Sequence, residues 1–291
     1  MSKLYDLHVH STASDGSLTP RELMREAHAC RLAGLALTDH DTVDGIGEAI
    51  EEGEALGIEV LAGVEISVSE AGGKREMHVL ALGIDPENAS LVQRLREAQG
   101  DRLRRALGMV ERLQALGIGI SSGWVREATG SIGRPHVAKA LVELGACRTL
   151  QEAFERFIGR NGPAYVPRRG ISTKEAVQMT HEAGGIAVLA HPPLSVGVDA
   201  PGGLERFVAR AARAGLDGIE VQHPSLSRKQ RRRIARLARV HGLVPTGGSD
   251  FHGESKPDVR LGRGRGDIEI GTEAFQAVTE RIRERRAPEP R

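Results

Sequence analysis

The chain has 291 residues, enough for one large α/β domain or one domain carrying a sizeable insertion. Its 40 basic and 39 acidic residues leave a net charge of +1, which argues against a strongly basic nucleic-acid scaffold but leaves nucleotides open as substrates. With 40% apolar and only 3% aromatic residues, the core must be mostly Leu, Ile, Val and Ala.

Residues 4–9 read as a strand ending in His8-Val9-His10, and alternation along a strand puts both imidazoles on one face. Thr19-Pro20-Arg21-Glu22 opens a helix with a capping box, its inner positions being Leu23, Ala27, Cys30 and Leu32, and Gly34 is expected to end it. A buried strand at 35–38 runs into Asp39-His40-Asp41. The next cycle is a helix near 47–56, Gly57, and a strand from Ile58. Residues 60–68 and 77–83 form a predicted hairpin about Ala71-Gly72-Gly73-Lys74. Centring that turn on Gly72-Gly73 places His78 opposite Ser67 and diagonal to Glu65. A one-residue shift of the turn centre makes His78 and Glu65 directly opposite, and either way they share a face.

From about 88 to 170 the pattern is nearly all helical, with Leu91, Leu95, Leu103, Leu107, Val110, Leu113 and Leu116 at helical spacing. Further helices are expected at 135–144 and 150–158, and 162–167 reads as an exit linker. The expected division is therefore a barrel-forming part at 1–87, a helical, substrate-capping insertion at 88–170 and a second barrel-forming part at 171–291. Strands at 185–190, 218–221 and 243–246 each follow a helix ending in Gly, and this βα rhythm predicts a parallel sheet with helices outside. Arg228, Lys229, Arg231, Arg232, Arg233, Arg236 and Arg239 form a basic helix with Ile234, Leu237 and Val240 as its inner stripe. A solvated helix face is preferred there over an RNA track. Cys30 and Cys147 read as reduced thiols. No secretory leader pattern opens the chain, and no apolar run approaches the ~20 residues of a membrane span, so a cytoplasmic location is expected.

The acids and imidazoles fall at predicted strand ends. His8 and His10 close the first strand, Asp39-His40-Asp41 the second, His191 the strand at 185–190, and Asp250-Phe251-His252 follow the strand at 243–246. In parallel α/β architectures these ends converge on one rim, where active sites lie. Histidines and carboxylates so arranged can hold metal ions, and four such strand ends argue against core histidines satisfied by backbone alone.

Taken in order, His8-Val9-His10, Thr38-Asp39-His40-Asp41, Gly63-Val64-Glu65, His78, Ala190-His191-Pro192 and Ser249-Asp250-Phe251-His252 resemble the motifs of the PHP (polymerase and histidinol phosphatase) family of metallophosphoesterases. The resemblance implies an α/β fold, a distorted (β/α)7 barrel of PHP type with a helical insertion subdomain, and two or three divalent metals at the rim. It implies that His8, His10, Glu65 and Asp250 hold a first metal. Glu65 would bridge to a second, with His78 and His191, and Asp15, His40 and His252 would hold a third. Many relatives carry His where this chain has Asp15. Mixed nitrogen and oxygen ligands suit Mn²⁺, put first, or Fe²⁺ or Zn²⁺, better than Mg²⁺. A metal-bridging hydroxide is expected to attack phosphorus, which makes Glu65 and Asp250 catalytic as well as metal-binding. Of Asp39 and Asp41, one is expected to orient His40 and the other to be structural.

The insertion bears on substrate. Gly133-Arg134-Pro135-His136 precedes a helix, so Arg134 and His136 are expected near its positive end as phosphate contacts. Residues 133–144, with Tyr165-Val166-Pro167, resemble a PHP subfamily that removes the 3′-phosphate of 3′,5′-bisphosphonucleotides. Some of its members, RNase AM-like, degrade short or 5′-monophosphorylated RNA from the 5′ end. His223, at another strand end, is expected to touch substrate or protonate the leaving oxygen. Histidinol-phosphate phosphatase is the nearest enzymatic rival. A carboxamide-cleaving amidohydrolase would place a carbamylated Lys where Glu65 stands, and a non-catalytic metal-bound accessory module would not need the full ligand set. Nucleotide or short RNA is the expected partner, with no membrane and no obligate protein partner. His28, His181 and His241 read as surface or packing residues and Trp124 as insertion core.

Overall fold

The computed structural model describes residues 3–70, 75–127, 130–168, 170–192 and 202–287. Strand β1 (Leu4–Val9) lies parallel to β2 (Leu32–Leu37), which lies parallel to β3 (Glu59–Glu70). β3 pairs antiparallel with β4 (Arg75–Leu82), and β4 antiparallel with β5 (Ile186–Leu189). Parallel pairing resumes with β6 (Gly218–Gln222) and β7 (Val244–Gly247). A two-residue strand, β8 (Ile270–Gly271), which sequence reading did not anticipate, pairs antiparallel with the outer side of β1. The ends of this sheet approach each other: Val9 bridges Phe251, and the Asp250 amide donates to the His8 carbonyl at 2.9 Å. Gly248 makes that seam possible, because a Cβ there would lie 2.4 Å from the Cβ of His8. The sheet is thus a nearly closed barrel.

The hairpin register is Ser67↔His78 and Glu65↔Leu80, as predicted for a turn centred on Gly72-Gly73; the turn residues 71–74 lie outside the described residues. β3 outruns β2, whose last partner is Ala62, and this carries Glu65 to the rim beside His40.

Helices α1 (Pro20–Ala29) and α2 (Ile46–Leu56) cover β1–β3. α1 begins with the predicted capping box at Thr19 and Glu22 but stops before Gly34. Arg31 takes the left-handed turn at φ 58°, and Gly34 lies within β2, where a Cβ would meet the Glu59 carbonyl oxygen at 2.6 Å.

The long α3 (Ala89–Ala115) belongs to two cores: Leu91 and Leu95 pack with the barrel's outer layer, while Ala106, Met109, Val110 and Leu113 join a second apolar cluster. That cluster is completed by α4 (Ser122–Glu127), α5 (Arg134–Glu143) and α6 (Leu150–Ala153), the last continuing as a π-helical turn over Phe154–Ile158. Trp124 packs against its edge.

The chain returns to the barrel with α7 (Thr173–Glu182), α8 (Gly203–Arg213), α9 (Arg228–His241) and α10 (Thr272–Arg286). α10 sets Phe275, Val278 and Ile282 among Tyr5, Leu80, Leu82 and Ile186, with Phe275 stacked on Tyr5 at 4.2 Å. In α9 the buried residues are Ile234, Leu237 and Ala238, whereas Val240, expected inside, is 65% exposed. Six residues beyond Ile234 is about 240° around a helix, which turns Val240 away from the core. No helix among the described residues is long and apolar enough to cross a membrane.

Candidate metal centre

Glu65 is the hub of the rim. Its Oε1 lies 2.7 Å from His78 Nδ1 and 2.9 Å from His191 Nε2, while its Oε2 lies 3.3 Å from His8 Nε2, 3.2 Å from His10 Nε2 and 3.1 Å from His40 Nδ1. One carboxylate therefore faces two groups of imidazoles, one with each oxygen. Asp250 Oδ1 closes the second group, 3.5 Å from His8 Nε2 and 3.4 Å from His10 Nε2. Asp15 faces His252 Nε2 at 3.3 Å and His40 Nε2 and His10 Nδ1 at 3.8 Å each. The nine metal-site residues expected from sequence are thus brought together in overlapping clusters. His10 also reaches the Asp15 group, and His40 reaches both Glu65 and Asp15.

These contacts fit metal ions better than hydrogen bonds. His8 Nε2 and His10 Nε2 stand 3.1 Å apart, and His8 Nδ1 faces Glu220 Oε1 at 3.0 Å. With the His8 proton on Nδ1, its Nε2 presents a lone pair to the centre. His40 Nδ1 and His78 Nδ1 are buried and have no partner of hydrogen-bond geometry among the described residues, despite lying near Glu65. Donor atoms about 2.0–2.2 Å from a shared cation stand roughly 3.0–3.5 Å apart, the spacing seen among His8, His10, Glu65 and Asp250. The clusters fit divalent metal ions.

Charge balance points the same way. Burial raises the Glu65 carboxyl, but His78, His40 and His8 more than reverse this and hold it well below the usual range; His40 and His252 do the same for Asp15. Burial lowers His8, yet Glu220, Glu65 and Asp250 leave it well above 6.5. Burial likewise opposes His10, which Asp250 and Glu65 raise to about 9. Burial dominates at His40, His78, His223 and His252 and lowers all four. A bound cation would take over the positive charge that His8 and His10 otherwise carry.

Acids behind the rim hold it in shape. Glu220 accepts from His8 Nδ1 with one oxygen and from the His191 amide at 2.6 Å with the other. Asp6, raised to about 6 by burial, accepts from the Ser249 amide and hydroxyl and from the Gly262 amide, and so fixes the turn that presents Asp250. Asp41, His191 and Asp250 all have positive φ, at 52°, 29° and 55°, a costly conformation for such residues that clusters here at the site.

The expectation that Asp39 or Asp41 orients His40 is corrected. Asp39 accepts from Ser11 and Ser14 and pins the loop after β1. Asp41 is fully buried and points away from His40: it accepts from the Ser67 amide at 2.7 Å and from Arg102, and lies 3.3 Å from Arg168. His40 is left to Glu65 and Asp15 because the left-handed turn at Asp41 swings that carboxylate to the guanidinium groups.

A pocket opens beside the rim. Asp15, His40 and His78 line one side, and Arg102, Arg105, Arg134, Arg168 and Glu76 the other. Glu76 accepts from Arg105 at 2.6 Å and the Tyr165 hydroxyl at 2.7 Å, and pairs with Arg134 at 3.2 Å. Arg134 also lies over the Phe154 ring. Burial and neighbouring Arg102 push Arg168 down to about 9, so it stays charged at neutral pH in a wall short of anions.

Arg134 thus faces the pocket. His136 is turned to its own helix start, where its Nδ1 accepts from the Gly133 amide at 3.0 Å, and it is not among the pocket's lining residues. His223 Nδ1 accepts from the Ser225 amide at 3.2 Å, which leaves the proton of the neutral ring on Nε2, 3.3 Å from Asp250 Oδ2. Lys256 Nζ meets the same oxygen at 2.5 Å.

Sequence reading missed Glu220, Asp6, Glu76, Lys256, Arg102, Arg105 and Arg168. Glu220 and Asp6 had a signal: each is a lone acid inside an apolar strand run, and both are fully buried. Arg102 and Arg105 had none, as cations on a long helix.

A profile of the PHP domain matches residues 6–113. The chain is 40% identical over 260 residues to a 3′,5′-nucleoside bisphosphate phosphatase of Chromobacterium violaceum, covering 87% of this chain and 90% of that protein. It is 38% identical over 264 residues to the 5′-3′ exoribonuclease Rnm of Escherichia coli, covering 89% and 88%. A crystal structure from Bifidobacterium adolescentis, assigned as a metal-dependent phosphoesterase, superposes with a TM-score of 0.83 at 34% identity over 97% of both chains. With this similarity along nearly its whole length, the chain belongs to the PHP family of metal-dependent phosphoesterases.

Proposed function

We propose that the chain hydrolyses nucleotide phosphates, chiefly by removing the 3′-phosphate of 3′,5′-bisphosphonucleotides, and that the same site shortens short or 5′-monophosphorylated RNA from its 5′ end. The observation that carries this reading is the facing of two unlike surfaces across one pocket, a rim of histidines and carboxylates against a wall of four arginines. A substrate with one phosphate at the rim and a second at the wall uses both. The two relatives named for these activities support the pairing.

In this reading His8, His10, Glu65 and Asp250 would hold one metal, Glu65 with His78 and His191 a second, and Asp15, His40 and His252 a third, with Mn²⁺ put before Fe²⁺ or Zn²⁺. When bound, the metals supply Lewis acidity to the phosphoryl oxygens and a water made nucleophilic near neutral pH. Arg134 and Arg105 orient the second phosphate, and Glu76 keeps their guanidinium groups in place before substrate arrives. His223 holds a proton on Nε2 at the rim, where a leaving oxygen needs one. Residues 88–170 act as the capping subdomain, since they supply all four arginines of the wall, Arg102, Arg105, Arg134 and Arg168. His136 shapes the start of the helix that carries Arg134.

The test compares kcat/KM on adenosine 3′,5′-bisphosphate, a short 5′-phosphorylated RNA and histidinol phosphate with added Mn²⁺. Losing one charge-assisted phosphate contact costs roughly 10-fold or more, so both nucleotides should exceed histidinol phosphate by at least that factor. Equal or higher efficiency on histidinol phosphate overturns the assignment.

A further inference from the structure

The near-zero net charge conceals a polarised barrel. On one side, α1 and α2 carry six acids against two arginines, and Arg21 and Arg25 are both paired with Glu52. On the other, α8 and α9 carry ten cations against one acid, Glu205. α9 has no carboxylate in its 14 residues.

The cations of α9 are sorted by face. Arg231 pairs with Asp267, and Arg233 reaches across to Glu205 on α8. Arg228, Arg232, Arg236 and Arg239 are exposed and form no ion pair among the described residues; Arg236 acts on Glu205 only at longer range. Their spacing of 4, 4 and 3 residues keeps them within an arc of about 80° and a length of about 16 Å, opposite the buried Ile234, Leu237 and Ala238. Like charges four residues apart repel and weaken a helix, so an uncompensated stripe is not the arrangement that local stability favours. Its upper end is tied to the rim: α9 begins five residues after His223, and Arg231 donates to the His223 carbonyl at 3.0 Å.

We infer that this stripe is a docking track for the backbone of single-stranded RNA whose 5′ end lies in the pocket. The inference rests on the nucleotide reading above and makes the physiological substrate longer than one nucleotide. A row of cations leading away from a phosphate-cutting site matches a chain with one negative charge per residue, and it adds affinity with each phosphate neutralised. None of the four stripe arginines lines the pocket, so a bisphosphonucleotide held there is not expected to need them.

The test reads binding, so that it is separable from turnover. A 5′-phosphorylated ten-nucleotide RNA with cleavage-resistant phosphorothioate linkages, and its two-nucleotide counterpart, are titrated by fluorescence anisotropy against the metal-loaded full chain. The same is done for the triple variant Arg232→Glu, Arg236→Glu, Arg239→Glu. The parent should bind the ten-nucleotide probe at least tenfold more tightly than the two-nucleotide one. At about 0.7 counterions released per phosphate, losing three contacts should lower the slope of log Kd against log salt by about 2 for the long probe. kcat/KM on adenosine 3′,5′-bisphosphate should stay within twofold. A milder triple variant, with Gln at the same positions, should give the same slope change if the charge-reversed protein does not fold. Equal affinity of the parent for both probes, or an unchanged slope in a folded variant, overturns the track. If light scattering finds a parent dimer that the variant dissociates, with RNA affinity unchanged, the stripe binds the acidic α1–α2 face of a second copy and RNA is excluded. If the parent cleaves no nucleotide yet binds the long probe through the stripe, the proposed activity falls and the track stands.

Discussion

Across the pocket, six imidazoles and three carboxylates converge on one side, while on the other four guanidinium groups are held by Asp41 and Glu76. In the rim the carboxylates face inward with the imidazole lone pairs, an arrangement that a cation between them stabilises. In the wall each carboxylate instead fixes two arginines and leaves the surplus positive charge toward the cavity. The same residue type therefore faces a cluster of imidazole nitrogens on one side and fixes guanidinium groups on the other. The difference lies in where the backbone aims the carboxylate, as the left-handed turns at Asp41 and Asp250 show in opposite directions.

The harshest test of that contrast is Glu65→Gln, which removes the charge shared by the two groups of imidazoles. It should reduce kcat by roughly 10³-fold or more and strip metal as read by elemental analysis; retention of both would remove Glu65 as the shared ligand. Glu220→Gln probes the support behind the rim. Losing such a partner of a ligating histidine typically weakens metal affinity about 10–100-fold, so added Mn²⁺ should restore its activity. A variant needing no extra metal would make Glu220 merely structural.

On the wall, Arg134→Ala should raise KM for adenosine 3′,5′-bisphosphate by roughly 10-fold while leaving p-nitrophenyl phosphate nearly unchanged. An equal rise for both would place Arg134 outside phosphate recognition.

The smallest effect is expected where a buried carboxylate serves neither side. Asp217 accepts from His181, the Ala187 amide and Arg285, and although burial raises its carboxyl, these partners leave it below the usual value. Its stabilising contribution is present above the unfolded carboxyl pKa and is lost as pH falls through the lower folded value. Asp217→Asn should lower Tm by about 2–6 °C at pH 7, and less below about pH 4, with activity at 25 °C unchanged. A change in kcat without a change in Tm would contradict a purely structural role.

The rim was legible in sequence and the wall was not, for a physical reason. Period-two alternation and βα order place His8, His10, His40, His191 and Asp250 at one end of a sheet before any side chain is seen, and hairpin register adds Glu65 beside His78. The resemblance to PHP motifs supplied the grouping into metals. Arg102, Arg105 and Arg168 lie on a helix and after a linker, where many orientations suit a cation, and only packing against the barrel turned them toward the pocket. Val240 failed for a related reason: α9 is so basic that its few apolar residues poorly define the inner face, and Ala238 took the place expected for Val240. Gly34 looked like a helix stop, but a glycine also suits the close approach of two strands, and that use prevailed.

By itself the sequence determined the alternation of strands and helices, the family and the residues at the strand ends, because these depend on local periodicity and on motifs contiguous in the chain. Tertiary structure decided which acids face the site and which hold arginines. It also decided the His8 tautomer favoured by Glu220, and the pairing of rim with wall. Those depend on contacts between residues as far apart as His8 and Glu220, whose separation of 212 positions no local pattern encodes.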